Sequence, residues 1–257
     1  MLEWCCLAEE IHQPSGQYLR SDLETLGNTD LHTIDSFIEA LALKIMEQYE
    51  SINHEEDNLE VLDPELLEPV ERTKKFYYRL FDDDGNCTCA FRTEASETLA
   101  MWIEYDLSGA VAGYRGRMHN NDPVFDGISI IPVGDTYALR IVQVKATKSR
   151  LQPECSGAIL RFRDLLAHEC DAELTYVLSL IERKVRAATG MRTRDIRNEL
   201  HFRVTALSQP SLNTGGILTT YDSHVSGEPA QRTFCLVPVQ WDKFWEELAR
   251  VVYEKLS

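Results

Sequence analysis

The run YALRIVQVKAT, residues 137–147, constrains the fold more than any other stretch of this chain. It is apolar on both parities through its centre, which calls for a strand covered on both faces rather than one with a wet side. Within it Gln143 and Lys145 stand two apart and project the same way, while Val142, Val144 and Ala146 pack opposite. An ammonium in such a strand needs a partner or a task, because burying it alone is costly. The run follows GISIIPV, residues 127–133, across Gly134–Asp135, a hairpin signal. Asp126 sits at the mouth of that first run, within reach of the edge that carries Gln143 and Lys145.

The rest of the chain intersperses helix-like and strand-like segments. TIDSFIEALALKIMEQYE sets Ile34, Phe37, Ile38, Leu41 and Ile45 on one helical face, with Thr33 or Asp35 as cap. RTEASETLAMWIEYDLSGAV gathers Leu99, Trp102, Ile103 and Leu107, with Thr93 or Ser96 as cap and Gly109 at the end. KKFYYRLFDDDGNC reads as a strand entering an Asp-Gly turn at Asp84–Gly85, and GYRGRMHNNDP as a basic–polar loop. GAILRFRDLLAHECDAELTYVLSLIERKVRAA reads as a long helical region. HFRVTALS and TFCLVPV read as strands, NTGG as a polar loop between them, and a last helix starts near Asp242. That order predicts a mixed α/β domain around one sheet over residues 71–257, preceded by an acidic helical segment over residues 1–70.

Charge marks the same division. The net charge is −16, and residues 1–70 hold 17 Asp/Glu against 2 Lys/Arg, whereas residues 71–257 hold 25 against 24. An acidic region repels phosphate backbones and favours basic partners; solvated helix faces account for the same charge. No apolar run reaches the roughly 20 residues a bilayer requires. MLEWCCLAEEIHQ lacks the basic n-region of a signal peptide, so a cytoplasmic protein without membrane attachment is expected. The seven cysteines, odd in number and without a CxxC, read as reduced thiols. The seven histidines show no HExxH spacing, and no GxGxxG, GK[ST] or GxSxG occurs.

Asp126, Gln143 and Lys145 thus bring a carboxylate, an amide oxygen and an ammonium toward one strand edge. Magnesium takes a few hard oxygens and keeps several waters. Asp126, the Gln143 side-chain oxygen and the Val144 backbone carbonyl would suit it, and Lys145 could orient a metal-bound water and offset charge on a transferring phosphoryl group. The spacing D…QVK across a hairpin resembles the core of the PD-(D/E)xK nuclease superfamily, in its QxK form, although the literal PD is absent here. The resemblance covers about residues 92–182. It implies a restriction-endonuclease-like core, with a central mixed sheet flanked by helices, and a Mg²⁺-dependent (or Mn²⁺-dependent) hydrolase acting on DNA. It also implies a further acidic ligand from the preceding helix, Glu97 or Glu94. Asp126, Gln143, Lys145 and Glu97 would then be catalytic, with Asp126, Gln143, Val144 and Glu97 on the metal.

A basic tract adds to this expectation. Arg183, Lys184, Arg186, Arg192, Arg194, Arg197 and Arg203 crowd residues 181–203, and Lys148, Arg150, Arg161 and Arg163 trail from the Gln143–Lys145 strand. Such a surface could track phosphates by counterion release, and solvated helix faces explain the same residues. With the acidic N-terminal segment as a docking surface, the layout resembles the nuclease subunits of two-component Hachiman-type antiviral defence systems, which pair with a helicase/ATPase. The competing expectation, favoured by the neutral Gln143, is a non-catalytic nuclease-fold subunit that only binds.

Overall fold

The computed structural model describes residues 8–12, 18–21, 34–56, 82, 87–106, 108–115, 125–167, 171–196, 199–209, 215–225 and 231–256. The hairpin is as expected: β4 (Gly127–Val133) and β5 (Thr136–Thr147) pair antiparallel around Gly134, whose φ of 58° suits a residue without Cβ. On its other side β5 runs parallel to β6 (Leu200–Ser208), and β6 runs parallel to β7 (Arg232–Pro238). β3 (Ala112–Arg115) closes one edge against β4. At the opposite edge β1 (Ala8–His12) joins β7, and β2 (Tyr18–Ser21) joins β1. The described strands form one mixed sheet in the order β2-β1-β7-β6-β5-β4-β3.

Helices cover both faces. On one lie α1 (Ile34–Glu56), α2 (Cys89–Asp106) and α7 (Trp241–Leu256), joined in a core where Phe37 stacks on Trp102 and meets Phe244. On the other lie α3 (Leu151–Leu166), α4 (Asp171–Thr189), the short α5 (Thr193–Ile196) and α6 (Gly215–His224). The double parity of β5 is thereby explained. Leu139 and Ile141 face Phe162, Val177 and Tyr221, while Val142 and Val144 pack on Ala100 of α2. Every residue from Ala138 to Val144 is buried.

Several local expectations change. α2 begins at Cys89, where Thr88 Oγ1 accepts the Phe91 N–H at 3.1 Å. Thr88 is therefore the cap, and Glu94 and Glu97 lie beyond the first turn, where the helix dipole no longer favours acids. The helix ends at Asp106, and Gly109, at φ 65°, follows it. The long helical region divides into α3 and α4, and the stretch beginning at Gly215 is helix rather than loop. Tyr114 and Arg115 belong to β3, not to a basic loop. The first seventy residues supply two strands as well as α1; their polar sequences lack strand alternation, and it is the pairing of β1 with β7 and of β2 with β1 that makes them strands. The expected strand at 74–81 and the turn at Asp84–Gly85 fall outside the described residues.

α2 reaches the sheet closely because two glycines make room. A Cβ at Gly113 would stand 2.9 Å from the Met101 methyl, and one at Gly127 would stand 2.8 Å from the Met101 sulfur. Met101 thus lies on a glycine platform. One helical stripe above and below it, Glu94, Glu97, Thr98 and Glu104, is pressed onto β3, β4 and β5.

Candidate active site

Asp126 precedes β4, and its N–H donates to the Val142 carbonyl at 3.2 Å. Gly127, the next residue, pairs with Val142 at the end of the β4–β5 ladder. Paired residues on neighbouring strands share a face. Asp126 Oδ2 accepts the Val144 N–H at 2.6 Å and lies 3.6 Å from Lys145 Nζ. Both contacts fall on the same oxygen, which leaves Oδ1 turned elsewhere. A strand residue presents its N–H and C=O to the same side. The Val144 carbonyl therefore faces the edge that Asp126 occupies.

Lys145 is 20% exposed in its side chain. Its charge also acts on the thiol of Cys155 in α3, which burial nevertheless pushes up to about 12. A neutral thiol cannot balance an ammonium, so Asp126 is the described carboxylate that does. Gln143 occupies the same face but is 1% exposed. It is adjacent to the open edge by register while remaining an interior group.

Glu97 comes from the opposite layer with a partner that the sequence reading did not anticipate. Arg115, at the end of β3 and across from Gly127, forms an ion pair with Glu94 Oε1 through Nη2. Its Nε donates to Glu97 Oε2 at 3.3 Å and its Nη1 to Thr98 Oγ1 at 3.1 Å. Burial pushes the Glu97 carboxyl up to about 8; Arg115 opposes the shift, and the charges of Asp126 and Glu94 add to it. Desolvation prevails because the closest contact of Arg115 goes to Glu94, leaving Glu97 with the longer bond. Arg115 could have been found in sequence only as one more arginine of a basic stretch.

Asp126, Lys145 and the Val144 backbone come together at one edge, with Glu94, Glu97 and Arg115 behind them on the α2 side. Asp126 and the Val144 carbonyl offer the hard oxygens that magnesium takes while it keeps waters. They fit that ion. Glu97 does not serve it while Arg115 holds the carboxyl. Among the described residues, no group of three or more His, Cys, Asp or Glu side chains is placed to hold a metal by itself.

The basic residues do not form one continuous set. Lys148 is bound to Asp242 of α7 at 2.6 Å, Arg150 lies 3.9 Å from Glu154, and Arg194 lies 3.4 Å from Asp195. Arg163 is paired with its neighbour Asp164, and Arg161 is exposed on α3. Arg183, Lys184 and Arg186 are exposed on α4, and Arg192 follows it. Arg197 lies outside the described residues. Arg203 is a correction: it is 2% exposed and binds Glu104 Oε1 at 2.6 Å, so it serves the interior and not a phosphate surface. The alternation of β6 aims it under α2, where Arg140 Nη1 also meets Glu104 Oε2 at 3.3 Å.

Among the described residues, no helix is long and apolar enough to cross a membrane. No family model matches the sequence, and comparison with curated proteins finds no match.

Proposed function

We propose that this chain is a metal-dependent nuclease subunit that hydrolyses DNA phosphodiester bonds in a defence complex with a helicase/ATPase partner. The observation that carries the reading is the Asp126–Lys145 contact of 3.6 Å at the start of β4, with the Val144 N–H on the same carboxylate oxygen. A helix layer on each face of the sheet and the bend of the chain at Asp126 support it. So does the acid-bearing helix α2 beside the same edge.

Asp126 and the Val144 carbonyl would hold the ion. Magnesium, when bound, would polarise the scissile phosphate and lower the pKa of a bound water. In the net reaction water forms a bond to phosphorus, the bond to the leaving sugar oxygen breaks, and that oxygen takes up a proton. Lys145 offsets the negative charge that grows on the phosphoryl oxygens and orients the attacking water. The contact with Asp126 fixes the amine for this task, since a flexible four-carbon stem otherwise costs entropy to place. The acidic residues of positions 1–70 give the partner a surface to dock on and discourage free DNA from binding there.

The test is incubation of the full chain with supercoiled plasmid and Mg²⁺ or Mn²⁺, with and without a helicase/ATPase partner. Cleavage that disappears in Asp126→Asn and Lys145→Met supports the reading. Persistent cleavage in both variants overturns it. A second reading, a nuclease-fold subunit that binds without cutting, is favoured by the interior position of Gln143 and the Arg115 hold on Glu97. Plasmid binding without cleavage under every condition would select it.

A further inference from the structure

Arg115 is the group at the site that the nuclease reading leaves without a task. Its side chain is 13% exposed, and three of its nitrogens are engaged along one stripe of α2, at Glu94, Glu97 and Thr98. Thr98 is itself fixed, donating to the Glu94 carbonyl at 2.9 Å. Arg115 pairs with Gly127, the residue after Asp126, and the charges of both Arg115 and Asp126 act on Glu97. A guanidinium is planar, permanently charged and suited to carboxylates, so in this position it does for Glu94 and Glu97 what a divalent ion would do. A divalent ion on these two carboxylates would be repelled by the guanidinium and would compete with it for their oxygens.

We propose that Arg115 is an internal competing cation: it occupies Glu94 and Glu97, and these carboxylates become metal ligands only when Arg115 releases them. This rests on the metal-dependent reading of the Asp126 edge and adds to it an arginine that sets how tightly the ion is held. The coupling is reciprocal: whatever loosens Arg115 from α2 strengthens metal binding, and metal binding loosens Arg115. Asp126 and the Val144 carbonyl form the standing part of the site, and Glu94 and Glu97 the exchangeable part. Thr98 is a positioning residue whose hydroxyl accepts from Arg115 Nη1 and donates to the Glu94 carbonyl.

The experiment is a titration of the full chain with MgCl₂, followed by NMR of arginine Nε–H groups and backbone amides. The Arg115 signal is assigned by its loss in Arg115→Lys. The expected result is a saturable shift of the Arg115 Nε–H in step with the Asp126 and Val144 amides. Thr98→Ala, which removes one anchor without changing charge, should tighten Mg²⁺ about three- to tenfold, the net worth of one ordinary hydrogen bond. Saturable shifts at Asp126 and Val144 with Arg115 unmoved and Thr98→Ala unchanged would overturn the competition and leave the metal reading standing. No saturable shift near Asp126 in the wild type, Thr98→Ala or Arg115→Gln would sink both. Because Arg115→Gln leaves two acids unpaired, Thr98→Ala decides the matter if that variant does not fold.

Discussion

Helix α2 carries two acid–arginine clusters on a single stripe, and they meet different fates. Glu104, at 0% exposure, is enclosed by Arg140, Arg203 and the Ser129 hydroxyl, which donates to it at 2.6 Å. Ser108 Oγ accepts from both arginines at 2.9 Å, and Arg203 Nε donates to Thr233 at 3.1 Å. Two to three turns earlier, Glu94 and Glu97 share one arginine at the sheet edge, and the charge of Asp126 acts on Glu97. In the centre of the sheet every partner is fixed by strands on both sides, so the cluster has one arrangement. At the edge β3 ends and β4 has just begun, so the same chemistry is left with fewer partners and an open side. Similar residues thus make a clamp in one place and an exchangeable site in the other.

The largest effect should come from the edge. Lys145→Met or Asp126→Asn is expected to lower DNA cleavage by about a hundredfold or more, far beyond what any change in melting temperature accounts for, as activity assays with calorimetry would show. The reverse holds for the interior cluster. Glu104→Ala strands two buried guanidinium groups and should cost about 3–5 kcal/mol in a urea unfolding series, the usual consequence of removing one partner from a buried pair. Equal stability losses for Glu104→Ala and Glu94→Ala would break the comparison.

A third expectation concerns pH. In metal-free protein the Glu97 carboxyl holds its proton up to about 8, against an ordinary value of 4.5. Between those limits the folded state binds the proton and the unfolded state does not. Stability therefore falls as pH rises through that window and levels off above it, by roughly 2–4 kcal/mol for a shift of this size. Glu97→Gln should flatten that slope in chemical denaturation curves collected across the window. The smallest effect belongs to the outer surface: Lys148→Ala breaks the exposed bond to Asp242. It is expected to change stability by less than about 1 kcal/mol, because solvent screens exposed ion pairs.

Much of this architecture could be read along the chain. The hairpin at Gly134–Asp135 and the doubly covered run of β5 followed from local chemistry: a two-residue turn and a parity pattern. The apolar face of α1 and the presence of α7 did as well. Period two likewise placed Gln143 and Lys145 on one face and Asp126 near them. What stayed hidden depends on contacts between segments far apart. The roles of Arg115 and Arg203 illustrate this. Both are arginines in basic stretches, yet one ends at a sheet edge among acids and the other lies in the core beneath α2. Ala8–His12 has no strand pattern of its own and becomes a strand because β7 offers an unpaired edge.

The sequence by itself therefore determined the β4–β5 hairpin, the two-sided burial of β5 and the common face of Gln143 and Lys145, since these follow from backbone periodicity within a few residues. The tertiary structure alone decided which acids meet which arginines. Ion pairing across a sheet depends on strand order and register, and on how close Gly113 and Gly127 let α2 approach. None of these is encoded in the spacing of neighbouring residues.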